Sequence, residues 1–128
     1  MKLLLDTHIV LWAAGHPERL SESARTLLTT PENILFFSVA SIWEIIIKRG
    51  LGREDFKVDP RRLRKMLITH GYSELAVGAE HVLAIEALPP IHKDPFDRLL
   101  LAQARTEGIL LLTVDASVSQ YKESVLTV

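Results

Sequence analysis

Two uninterrupted apolar runs, each stopping on an aspartate, constrain this chain more than any other feature. Leu3-Leu4-Leu5 ends at Asp6, and Ile109-Leu-Leu-Leu-Thr-Val114 ends at Asp115. Neither run alternates polar with apolar residues, so neither suits a sheet with one wet face. Both suit strands covered on both sides, the condition of a parallel sheet flanked by helices. In open α/β sheets the ligand crevice lies outside the carboxyl ends of the strands, where both aspartates would stand. Asp6 also has a plainer explanation, as the cap of a helix opening on Asp-Thr-His.

The segments between the two runs supply the helices. A short helix is expected over 8–14, closed before Gly15, and a second over 20–28, with Ser21 or Ser23 as its cap. The β-rich stretch 34–37 reads as a second buried strand, and Ser38 is a suitable cap for a helix over 39–49 ending at Gly50. Residues 50–59 read as a polar, basic loop. Pro60 then stands at the first position of a helix over 60–70. A third strand is expected at 74–77 and a helix at 79–88, stopped by Pro89-Pro90. Asp94-Pro95 opens a helix that Gly108 closes, and 125–128 can form an edge strand. Strands alternating with helices predict an α/β fold, a central parallel sheet with helices on both faces. At 128 residues the chain is expected to form one domain over 1–128.

Composition narrows the chemistry. The chain is 48% hydrophobic and 24% charged, with no cysteine, which excludes a disulfide framework, a thiolate metal site and a thiol nucleophile. Any metal must be held by oxygen or imidazole. A formal net charge of −1 argues against blanket attraction to nucleic acid and leaves room for local basic patches. No apolar run approaches the roughly 20 residues of a membrane span, and the start lacks the pattern of a cleaved leader, so a cytoplasmic protein without membrane association is expected.

The helix over 39–49 is apolar nearly all round: Val39, Ala40, Ile42, Trp43, Ile45, Ile46 and Ile47 leave only Ser41, Glu44 and Lys48 as a polar stripe. Such a helix is expected to be buried by the core on one side and by a partner on the other. With the Trp12 region, it predicts a homodimer. Arg61, Arg62, Arg64 and Lys65 give the next helix a basic face, the usual mark of a solvated surface.

Asp6, Glu44, Asp97 and Asp115 now need a common explanation, since two strand ends of one parallel sheet bring acids to the same edge. Carboxylates gathered in a partly buried cleft repel, and some take up protons unless a cation neutralises them. Oxygen ligands select a hard ion, Mg²⁺ or Mn²⁺, and leave positions for phosphate and for an attacking water. Each acid alone has a structural reading: Asp97 favours a helix N-terminus, Glu44 can pair with Lys48, and Asp115 can cap a turn.

Leu-Leu-Leu-Asp6-Thr-His, Ser38-Val-Ala-Ser-Ile-Trp-Glu44, His92-Lys-Asp-Pro-Phe-Asp97-Arg-Leu-Leu-Leu-Ala-Gln-Ala and Leu-Leu-Thr-Val-Asp115 resemble, in order, the motifs of PIN-domain ribonucleases, and most closely the VapC-type toxins of bacterial toxin–antitoxin pairs. The resemblance implies a three-layer α/β/α sandwich and a Mg²⁺- or Mn²⁺-dependent endoribonuclease acting on RNA. It also implies a dimer held inactive by a cognate antitoxin. It assigns Asp6, Glu44, Asp97 and Asp115 to the acidic quartet, with Asp6 and Asp97 nearest the metal and Asp115 acting through water. Asp94 either assists the metal or caps the helix. Thr7, Ser38 and Thr113 are expected to hold the acids or the water, and Lys48, Arg49, Arg53, Lys93 and Arg98 to meet phosphate. His8 and His92 are expected to play ordinary structural roles.

Two other functions fit parts of this pattern. A phosphatase of the haloacid dehalogenase kind also begins with an aspartate after an apolar strand, but needs a second aspartate two residues on, where this chain has His8. A catalytically silent domain that binds RNA or protein would keep the fold without the chemistry. A zinc hydrolase is disfavoured, because the five histidines form no His-Glu-x-x-His pattern.

Overall fold

The computed structural model describes residues 1–91, 94–121 and 123–128. Its strands are β1 (Lys2–Leu5), β2 (Ile34–Ser38), β3 (Ser73–Leu75), β4 (Leu110–Thr113) and β5 (Val125–Thr127). They form one parallel sheet in the order β3-β2-β1-β4-β5. The chain moves outward from β1 through β2 to β3, then returns to build β4 and β5 on the other side. The order therefore reverses between β1 and β4, where Leu5 stands opposite Leu112.

Among the described residues six α-helices cover the two faces: α1 (Thr7–Gly15), α2 (Glu22–Thr29), α3 (Val39–Gly50), α4 (Pro60–Thr69), α5 (Ala79–Ala84) and α6 (Pro95–Glu107). Alternate residues of each strand feed different layers. Leu4 and Leu111 pack with Leu100, Leu101 and Ala104 of α6. Leu5, Phe37 and Leu112 pack with Ile9 of α1, Ala24 of α2, Ile45 of α3 and Leu63 of α4. The result is the expected three-layer α/β/α sandwich, and the paired burial explains why the two central strands lack polar alternation.

Local signals set the boundaries. Ser21, Ser38, Asp59 and Asp94 each accept a backbone N–H in the first turn of the helix they precede. Gly108 closes α6 at φ +68°, a left-handed conformation that other residues adopt only with strain. β3 falls slightly earlier than expected, and the 79–88 segment divides into α5 and a 3₁₀ turn at Ile85–Ala87.

One expectation needs correction. The 50–59 segment is more than a polar loop, since its 3₁₀ turn Glu54–Phe56 buries Phe56 completely. Trp12 is partly buried and packs against the core. In α3 the polar stripe is the buried one: Ser41 and Glu44 turn inward while Trp43, Ile46 and Ile47 are exposed.

Candidate active site

β1 delivers Asp6 to the sheet's carboxyl edge at the point where the strand order reverses, and the same residue caps α1. Its Oδ1 accepts the Ile9 N–H at 3.0 Å, and its Oδ2 accepts the hydroxyl of Thr113, the last residue of β4. Both the structural and the positional readings of Asp6 are thus realised in one side chain. Asp6 is only 6% exposed. Burial pushes its carboxyl pKa up, against the opposing pull of the Thr113 and Ile9 hydrogen bonds and the nearby His8.

Thr113 ties the two strand ends together, because its oxygen also accepts the Asp115 N–H at 3.0 Å. Asp115 Oδ1 accepts the Ser117 N–H at 2.8 Å and so fixes the following turn. From the other side, α3 presents Glu44, 4% exposed. Its Oε1 accepts the Thr7 hydroxyl at 2.6 Å, and its Oε2 meets the Lys48 ammonium at 2.5 Å. Thr7 is also hydrogen-bonded to Ser41. At the head of α6, Asp94 Oδ1 accepts the amides of Phe96 and Asp97 at 2.9 and 3.1 Å. Asp94 is therefore a cap, and it orients the turn that carries Asp97.

These side chains line one cleft of about 220 Å³, walled by Asp6, Glu44, Asp94, Asp97 and Asp115 with Lys48 and His8. Larger concavities lie elsewhere, about 680 Å³ between α3 and α4, about 550 Å³ beside Trp12 and about 510 Å³ near Leu28 and Tyr72. The first and last have no carboxylate in their lining and the second has two, Glu54 and Asp55, so the five gathered acids and not size single out the smaller cleft.

The donor set is hard oxygen, with five carboxylates facing one ammonium. Among the described residues no three acidic or imidazole side chains close on a single point. By type, oxygen donors are those of Mg²⁺ and Mn²⁺, which bind through one or two carboxylates and keep several waters. The raised pKa of Asp6 is the strain that a cation here would relieve. The residues present fit such an ion by donor chemistry.

The remaining expectations divide. Thr7 and Thr113 hold acids, as anticipated. Ser38 does not: its hydroxyl caps α3 and donates to Gln103 Oε1 at 2.5 Å. Arg98 reaches the carbonyls of Ile85 and Pro89. Arg49 lines the groove between α3 and α4, while Arg53 lies over the Phe56 ring and beside Asp55. His8 Nε2 lies 3.2 Å from Asp55 Oδ2 and its ring packs on Trp12 and Phe56, a structural role. His92 and Lys93 lie outside the described residues.

A buried polar chain escaped the sequence reading. Gln103 of α6, fully buried, links Ser38 to the Ala76 carbonyl and to His81 Nδ1, and His81 Nε2 lies 3.0 Å from Glu107. The Gly78 N–H donates to His81 Nδ1, so the proton of the neutral ring sits on Nε2. The available signal was Gln103 itself, an amide inside an otherwise apolar run from Leu99 to Ala104.

A PIN domain family profile matches residues 3–124. No curated protein matches by sequence. Solved structures are similar in fold: VapBC2 from Rickettsia felis bound to a DNA fragment from its promoter has TM-score 0.72 at 16% identity, over 98% of this chain and 97% of that one. VapBC-1 from nontypeable Haemophilus influenzae has TM-score 0.65 at 17% identity, over 99% and 98%. VapC20 from Mycobacterium tuberculosis, a Sarcin-Ricin loop cleaving toxin, has TM-score 0.65 at 16% identity, over 94% and 95%.

Proposed function

The chain belongs to the PIN domain family, and from that premise we propose that it is a Mg²⁺- or Mn²⁺-dependent endoribonuclease of the VapC toxin type, neutralised by a cognate antitoxin in the cytoplasm. The observation that carries the reading is the convergence of Asp6, Glu44, Asp97 and Asp115, from four separate parts of the chain, on one cleft at the strand-order reversal.

Asp6 and Asp97 are the residues assigned to hold the metal, with Glu44 and Asp115 beside them. When bound, the metal lowers the pKa of a water and offsets charge on the phosphate oxygens. The chain's own part is preorganisation. Thr113 and the Ile9 amide fix both oxygens of Asp6, so that carboxylate needs no reordering as substrate arrives. Thr7 aims Glu44 in the same way. Asp94 acts through the first turn of α6, which sets the position of Asp97. Asp115, half-buried and tied to Thr113, is assigned to a water and not to direct metal contact.

Phosphate binding is assigned to Arg53, beside Asp55 and the Phe56 ring, and to Arg49 in the groove between α3 and α4, local cations that act despite the chain's net charge. The antitoxin partner is supported by the toxin–antitoxin complexes among the structural neighbours. It is also supported by exposed apolar residues on α3 and α5, including Trp43 at 56% and Leu83 at 70%. A homodimer would bury part of that surface, the α3 face being our assignment.

The test is incubation of a mixed structured-RNA pool with purified protein freed of any co-purifying partner. Internal cuts in Mg²⁺ or Mn²⁺ that disappear with EDTA and in Asp6→Asn are expected. Intact RNA in the presence of folded protein and metal would overturn the reading, and release of phosphate from a small ester in its place would favour a phosphatase.

A further inference from the structure

Lys48 is the one ammonium lining the acidic cleft among the described residues. Its Nζ lies 2.5 Å from Glu44 Oε2 and 5.0 Å from the centroid of the buried Phe56 ring, with the side chain 20% exposed. Most i,i+4 pairs of this kind decorate a solvated helix face and contribute little. This pair is turned inward, onto the wall of a cleft that holds four further carboxylates. Thr7 serves Oε1 and Lys48 serves Oε2, so a cation that replaced Lys48 at Oε2 would leave the Thr7 hydrogen bond in place.

The charge has two opposite consequences. An ammonium seated on Glu44 discourages a second cation from approaching that carboxylate, and the same ammonium stands in the cleft's lining where an entering phosphate can meet it. A flexible four-carbon stem lets Lys48 change partners without moving α3. We propose that Lys48 is an exchangeable counter-cation: it neutralises Glu44 in the resting cleft, gives that carboxylate up on metal loading, and then pairs with a phosphate of the bound RNA. This rests on the reading of the cleft as a metal-dependent ribonuclease.

The test uses Lys48→Met, which keeps the stem over Phe56 and a strong helix former in α3, with Lys48→Gln in parallel and Lys48→Arg as the charge-conserving control. Mn²⁺ is titrated calorimetrically into each protein without RNA. Separately, binding of a fluorescein-labelled single-stranded oligoribonucleotide, checked by gel to be intact afterwards, is followed by anisotropy in saturating Mn²⁺ over a range of KCl. The neutral variants are expected to bind Mn²⁺ about fivefold more tightly and RNA about fivefold more weakly. Their RNA salt dependence should be shallower by about 0.7 in log–log slope, the loss of one phosphate contact. Lys48→Arg should follow the wild type in both.

A merely structural pair would shift both affinities in one direction or neither. Unchanged or weakened Mn²⁺ binding, or unchanged RNA binding, in folded neutral variants would overturn the assignment of Lys48 while leaving the nuclease reading standing. A wild-type protein that binds neither Mn²⁺ nor the oligoribonucleotide would bring down both together.

Discussion

Asp6 carries the conflict between stability and function most plainly. Its carboxylate is buried, its pKa is raised by that burial, and two hydrogen bonds only partly compensate. Asp6→Asn removes the charge while preserving an acceptor for the Ile9 amide. It should abolish RNA cleavage and raise the stability of the metal-free protein by about 1 kcal/mol, read as a higher midpoint in thermal or urea denaturation. A lower midpoint would mean that the charge is compensated after all. Thr113→Val should cost about 1–2 kcal/mol, because the Asp6 oxygen and the Asp115 amide both lose their partner. It should also cut kcat more than it changes KM, since Thr113 positions the acids and does not meet RNA. Asp6 and Asp115 were legible because each ends an uninterrupted apolar strand. Thr7 and Thr113 were legible as neighbours of acids in sequence. Gln103 was not, because its partners Ser38 and Ala76 lie far from it in sequence.

Among the elements, caps and stops were the easiest to read, since each depends on a few adjacent residues: Ser38 before α3, Asp94-Pro95 before α6 and Gly108 after it. The orientation of α3 was not readable. Its apolar residues outnumber its polar ones, so a hydrophobic-inward rule turns Ser41 and Glu44 to solvent. The fold reverses this by providing Thr7, 37 residues away, as the partner that makes a buried Glu44 tolerable. Phe56 was hidden for the same reason, as a lone aromatic in a charged stretch that only the packed helices bury. Gln103→Leu probes the polar chain of α6: it deprives the Ser38 hydroxyl of its acceptor and should cost about 2 kcal/mol in chemical denaturation. The α4–β3 contact gives a pH signature. Arg64 donates two hydrogen bonds to Glu74 and holds that carboxyl below the ordinary glutamate range. The stabilisation is therefore full above that range and is lost as pH falls through the lowered value. Glu74→Gln should flatten the acid limb of a stability–pH curve slightly, the pair being largely exposed.

At the scale of the molecule, the strand order β3-β2-β1-β4-β5 does what no single element does: it brings the ends of β1 and β4 side by side, with Glu44 and Lys48 of α3 and the head of α6 closing the cleft. The alternation of strands and helices announced a parallel sheet, while the point of reversal became visible only in the pairing of Leu5 with Leu112. The exposed Trp43, Ile46 and Ile47 give α3 an apolar face on which the proposed partner contact is placed. For the proposed homodimer, light scattering should give a dimer mass for the wild type and a monomer mass for Ile46→Glu; a dimeric variant would move the proposed contact off α3, and a monomeric wild type would remove it. The central claim is that the acids act as one unit. Single-turnover RNA cleavage in Mn²⁺ by Asp6→Asn, Asp97→Asn and the double variant tests it directly. Each single variant should fall to nearly the same residual rate as the double, because removing either side of a shared site disables the whole. Rate losses that simply multiply in the double variant, or a single variant that cleaves like the wild type, would contradict it.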